Sequence, residues 1–375
     1  EMVFLDLTMP VKGNLGLRFV NYQLESTGAF VQPSTTKRGE PGTSLNTVLQ
    51  QAEYKRYYDL ASGESQLSTV DGTGYSAVLP SLNLNFEVGT GKYVRVGLAR
   101  TMARARMDQL RASQDYSFNP ALNNSQATPE QNSPWSASGG NPALRPWIAN
   151  ALDVSYEQYF EDSKGYVAIA AFYKDFTNPI EVVFASGANP ILNFSNAKSA
   201  YSTGLEAEFR KNLNAANPTS FLGKTSLVFN GTYIFSRVKL DDAVAKDQSD
   251  DRPLQGQSPC IINAGLNYND AKKGLQLNLN YNVIGKRIFA VGNNFGSPYP
   301  DWFEMPRNVI DFNFSKQLSK MLMIKGGVSD LLNQGNTILQ DGNQDQVFDR
   351  NQDQIIQNYA PGRVVSLGII VSPFN

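Results

Sequence analysis

The chain has 375 residues, 33 basic against 34 acidic for a net charge of −1, no histidine and a single cysteine, Cys260. That balance leaves no electrostatic footprint for nucleic acid. It also excludes a disulfide within the chain, a metal site of histidines or paired cysteines, and a Ser-His-Asp relay.

No run of about 18 apolar residues supplies a membrane-spanning helix. In chain order, period-two alternation marks ribbons at 3–9, 15–24, 81–88, 92–101, 152–160, 165–174, 204–210, 227–235, 261–268, 274–283, 309–315, 321–328 and 363–371. In the third, Leu82, Leu84, Phe86 and Val88 share one face while Asn83, Asn85 and Glu87 share the other. The tenth repeats this with Leu275, Leu277, Leu279, Tyr281 and Val283 against Gln276, Asn278, Asn280 and Asn282. Such an amide face wants water; inside a barrel it, like the face carrying Glu206 and Glu208, meets either water or a plug.

Most ribbons approach the nine to eleven residues, roughly, that a tilted strand needs to cross a bilayer. A mean hydropathy of −0.34 is compatible with that, because only alternate side chains meet lipid. Short polar turns alternate with stretches too long for hairpins, near 26–78, 103–149, 176–199, 238–257, 285–305 and 331–360. This asymmetry predicts an all-β fold: a transmembrane antiparallel β-barrel with short periplasmic turns and long extracellular loops. About 13 strands are expected, an odd count where bacterial barrels close on an even one. The chain is therefore read as part of a barrel, with further strands expected before Glu1.

Two loops carry candidate binding residues. After residue 102, Arg104, Arg106 and Arg111, with Tyr116, Phe118 and Trp135, either grip an anionic or aromatic solute or pack the loop at the lipopolysaccharide boundary. The second loop reads D-G-N-Q-D-Q-V-F-D-R-N-Q-D and places Asp341, Asn343, Asp345, Asp349, Asn351 and Asp353 at the alternate spacing of calcium loops. Gln346 and Gln352 stand where an EF-hand has Gly and Glu; Ca²⁺ in this extracellular loop is one reading and a solvated acidic loop the other. Aromatic girdles are expected from Tyr156, Tyr159, Phe160, Tyr166, Phe172, Tyr173, Phe176, Tyr268, Tyr281 and Trp302. Gly140, Asn141, Pro142 and Pro146 read as turn and strand-entry residues.

The segments LPSLNLNFEV and KYVRVGLARTMARARMDQL resemble paired strands of the TonB-dependent receptors, particularly their Bacteroidetes-like forms. GNPALRPWIANALDVSYEQYFEDSKGYVAIAAFYKDF, the most specific match, is similar to the family's strand entry, aromatic turn and Phe-Tyr-Lys-Asp exit. STGLEAEFRKNL, PLQGQSPCIINAGLNY, YNVIGKRIFAVG, DLLNQ and APGRVVSLGIIVSPF resemble its later strands.

The resemblance implies the later part of a 22-strand barrel, with residues 1–375 forming wall and loops, and the plug, TonB-contacting segment and early strands expected upstream. It implies a non-enzymatic outer-membrane importer of a scarce solute such as an iron chelate, cobalamin or oligosaccharide, with no cofactor beyond the candidate Ca²⁺. Its implied partners are outer-membrane lipid and lipopolysaccharide, TonB, and a surface lipoprotein. A passive porin, a structural scaffold in a surface complex, and a soluble β-rich adhesin or enzyme are the competing readings.

Overall fold

A computed structural model of the chain describes residues 2–3, 10–30, 66–71, 74–118, 135–160, 165–185, 191–214, 216–241, 248–249, 251–292, 300–343 and 345–372. In chain order the strands begin with β1 (Met2–Val3), β2 (Val11–Tyr22), β3 (Glu25–Phe30), β4 (Gln66–Asp71), β5 (Tyr75–Gly89), β6 (Lys92–Ala103), β7 (Gln114–Phe118) and β8 (Trp135–Gly139). Next come β9 (Trp147–Phe160), β10 (Gly165–Thr177), β11 (Ile180–Ala185), β12 (Ile191–Asn196), β13 (Ser199–Asn212), β14 (Thr225–Lys239), β15 (Asp251–Arg252) and β16 (Cys260–Asp270). The last are β17 (Leu275–Ile284), β18 (Arg287–Ala290), β19 (Trp302–Glu304), β20 (Arg307–Gln317), β21 (Leu322–Ser329), β22 (Asn336–Gln340), β23 (Gln354–Tyr359) and β24 (Val364–Val371).

One sheet runs β1-β2-β5-β6-β9-β10-β13-β14-β16-β17-β20-β21-β24, and each step is an antiparallel pairing of neighbours in chain order. Each of these strands coincides with one ribbon of the sequence pattern; of the first, Met2–Val3 is described and residues 4–9 lie outside the described residues. The path is open, with no pairing of β1 to β24 among the described residues.

Register makes the alternation collective. Leu279 stands between Leu266 and Phe312, and Leu205 between Ala171 and Tyr233, on one face. Asn278 stands between Asn267 and Asn313, Asn280 between Gly265 and Asp311, and Asn282 between Asn263 and Val309 on the other. The apolar face lies open, with Leu15 71%, Leu205 59% and Leu367 75% exposed. Leaving each such side chain in water forfeits about 1.5–3 kcal/mol of burial, a cost that lipid removes. The polar face is tied laterally: Asn83 donates to Asn14 (2.9 Å), Asn282 to Asn263 (2.7 Å), and Arg95 to both carboxylate oxygens of Glu157 (2.8 and 3.1 Å).

All further strands sit at the long-loop end. They form the pair β3-β4 and two sheets, β11-β12-β8-β7 and β18-β19-β22-β23, while β15 extends β14. A buried apolar cluster forms here, where the ends of wall strands meet the cap: Ala200 of β13 and Val238 of β14 with Ala197, Leu240 and Leu254, and Phe176 of β10 packed against it. The described parts of the long stretches that pattern alone reads as loops are thus folded into a cap. At the other end, the turns at 90–91 and 271–274 are tight, and Lys224 donates to Asp270 (2.8 Å) beside the short 3-10 turn Leu222–Lys224.

Candidate functional site

Where the polar face meets the cap, a cleft of about 960 Å³ opens. Its floor is the upper polar face of β9, β10, β13 and β14, supplying Trp147, Phe172, Lys174, Ser202, Glu206 and Ile234. The walls come from the β11-β12 hairpin (Glu181, Phe194), the 253–257 turn (Gln255, Gln257) and the β18-β19 strands (Arg287, Phe289, Glu304), with Arg106 and Gln109 at one side.

Period-two parity sends Phe172, Lys174 and Phe176 to the same side of β10, whereas Tyr173 points to the apolar face and is 47% exposed. Phe172 and Phe176 therefore line the cleft and are not part of a lipid girdle. Tyr159 and Tyr166 also leave the girdle: they stand opposite each other on the polar face with ring centroids 5.6 Å apart, and the Tyr166 hydroxyl donates to Glu208. Trp147 meets Phe176 edge-on at 5.5 Å, and the Lys174 ammonium lies 5.0 Å from the Phe172 ring centroid. Aromatic faces and a cation are held together here.

Second-layer contacts fix the walls. Glu181 and Arg252, 5% and 3% exposed in their side chains, form a buried ion pair at 2.9 Å that joins the β11 hairpin to β15. Gln257 donates to the Ser202 hydroxyl (3.1 Å), Gln255 to the Phe289 carbonyl (2.9 Å), and Arg287 grips Glu304 at 2.6 Å. Just outside the cleft, burial pushes the Lys286 ammonium below its ordinary pKa, and Asp341 opposes the shift.

The arginine loop is not assembled as one grip. Arg104 stacks on Tyr22 (5.2 Å), Arg111 pairs with Asp115 (2.7 Å), and Arg106, paired with Asp108 (2.8 Å), alone of the three reaches the cleft. Backbone pairing puts Phe118 opposite Trp135, and Tyr116 opposite Ala137; the side chains of Tyr116, Phe118 and Trp135 lie outside the described residues. Gly140 explains the GNP segment: a Cβ there would stand 2.6 Å from the Arg111 carbonyl oxygen, so the backbones touch only through glycine. Asn141 then accepts from the Ala143 amide (3.0 Å) and donates to the Phe194 carbonyl (3.0 Å), the work of a turn residue. In the acidic loop, Asp341 and Asp353 are buried, while Asn343, Asp345 and Asn351 are exposed and Asp349 is partly covered.

A family model described as "TonB dependent receptor-like, beta-barrel" matches residues 3–331. The chain belongs to this family. Among solved structures it is similar to the ferric enterobactin receptor (PfeA) in complex with BCV-L6, with 17% identity and a TM-score of 0.56 over 98% of this chain and 52% of that one. The mutant R480A of that receptor, from Pseudomonas aeruginosa and in complex with enterobactin, gives 16% identity and a TM-score of 0.54 over 98% and 52%. The copper transporter OprC gives 13% and 0.56 over 97% and 46%. At such identities the likeness is one of fold, and the chain spans about half the length of these structures. No curated protein matches the chain. Membership in the TonB-dependent receptor family places the protein in the bacterial outer membrane, so the bare apolar face is the lipid face and the amide face lines the lumen.

Proposed function

We propose that the chain supplies lumen wall and extracellular capture surface to a TonB-dependent importer, and that the cleft is where solute first settles. The observation that supports this is the continuity of the cleft floor with the amide-rich wall beneath it: Lys174, Ser202 and Glu206 belong to the same strand faces as Glu157, Glu208 and Asn230 below. A passive pore has less use for a closed cluster of aromatic faces at its mouth.

Of iron chelates, cobalamin and oligosaccharides, the cleft favours a neutral, polyhydroxylated solute. Glu181 is paired with Arg252, Arg106 with Asp108 and Arg287 with Glu304, which leaves Lys174 and Glu206 as one charge of each sign in the cleft. Aromatic faces beside amides suit a ring that presents both apolar and hydroxyl surfaces. Energy enters through TonB, contacting a segment outside the matched wall.

Uptake of radiolabelled oligosaccharide, ferric chelate and cobalamin in cells with and without TonB tests this. Oligosaccharide uptake is expected to require TonB and to lose affinity about tenfold in Trp147→Ala, the scale of removing one anchor. TonB-independent uptake would overturn the importer reading; uptake confined to the ferric chelate would overturn the neutral-solute reading.

A further inference from the structure

The β22-β23 hairpin carries the acidic loop of residues 341–353. Gln340 pairs with Gln354 as its last rung, so Asp341 and Asp353 come next, one on each side of the loop's neck. Each residue is only 7% exposed.

Both carboxylates turn inward. Oδ2 of Asp341 accepts from the Gln346 amide (2.8 Å), and Oδ2 of Asp353 accepts from the Asp349 amide (2.7 Å). Each Oδ1 is buried with no hydrogen-bond partner. Leaving one oxygen of a buried carboxylate without a donor costs about 1–3 kcal/mol. Lys286 offsets part of the charge on Asp341 through space, but its ammonium stands over the rings of Phe303 and Phe348, 5.1 and 4.0 Å from their centroids, and donates nothing to Oδ1 of Asp341.

We propose that the neck of this loop binds a hard divalent cation of the calcium type between Oδ1 of Asp341 and Oδ1 of Asp353. Two carboxylates balance its charge. Among the described residues no three acidic side chains converge, so amide, main-chain and water oxygens complete the shell of six to eight that calcium takes, roughly. Such a site belongs with extracellular modules of roughly 10⁻⁴–10⁻³ M affinity. The loop also makes the turn an EF-hand assigns to glycine: Gln346, sixth from Asp341, has a left-handed φ of 63°. The ion's work is mechanical, closing the loop end of the sheet that forms one wall of the cap.

Arg350, inside the loop and exposed, provides a local reporter. The receptor, purified in detergent and stripped with EDTA, is digested with trypsin while calcium chloride is titrated. Cleavage after Arg350 is expected to slow about tenfold near 1 mM Ca²⁺, in the affinity range above, and less with Mg²⁺. Asp341→Asn with Asp353→Asn should digest at one rate with or without the ion; heat-modifiable gel mobility confirms that this variant is assembled. If it is not, Asp353→Asn alone must raise the calcium needed. A wild-type rate indifferent to calcium overturns the site, and so does protection that survives the substitutions, since the ion would then act elsewhere.

Discussion

Glu181 and Arg252 are the pair on which the cleft wall depends. Both side chains are buried, and the Arg252 guanidinium also donates weakly to the Pro253 carbonyl (3.4 Å) while its Nε has no partner. Removing the carboxylate leaves a positive charge stranded in the cap, so Glu181→Ala is expected to cost about 3–5 kcal/mol. Hydrogen exchange of the β11-β12 amides measures it: their protection should fall while wall amides stay protected. Nothing in residue 181's local sequence foretells this role, since its partner is 71 positions away. Gly140 was legible as a turn residue but not as the contact with Arg111 that forbids a side chain.

At the scale of the strand, parity decides the outcome of a substitution more than residue type does. Leu205 and Glu206 are neighbours on β13, yet one faces lipid and the other the lumen. Leu205→Arg is expected to cost about 2–4 kcal/mol if it sits near the midplane, and Glu206→Gln far less. The fraction of heat-modifiable, folded receptor recovered from outer membranes should drop for the first and hold for the second. The thirteen ribbons were readable because a half-lipid strand has no other pattern available: every second residue must be apolar over its whole length. The cap strands were not, because β7, β11 and β18 run through short mixed sequence whose burial depends on what other loops bring over them.

Among the described residues the sheet is an open path, and β24 at one end and Met2–Val3 at the other have no partner on their outer edges. In lipid such an edge costs several kcal/mol per unsatisfied group, roughly. Residues 1–375 refolded alone into detergent are therefore expected to associate through those edges. Light scattering should show oligomers, and a monodisperse monomer with shifted gel mobility would contradict the open path.

What the amino-acid sequence determined by itself is the wall: thirteen strands, the order of their turns and loops, and which side chains share a face, since each follows from a local period of two imposed by lipid on one side and water on the other. The tertiary structure decided the site. Arg104, Arg106 and Arg111 lie within eight positions of one another, yet they diverge to Tyr22, the cleft and Asp115. Lys174, Glu206, Gln257 and Arg287 converge from separate strands and loops. Convergence of that kind depends on register between strands and on loops packing over one another, and neither leaves a local signature in the chain.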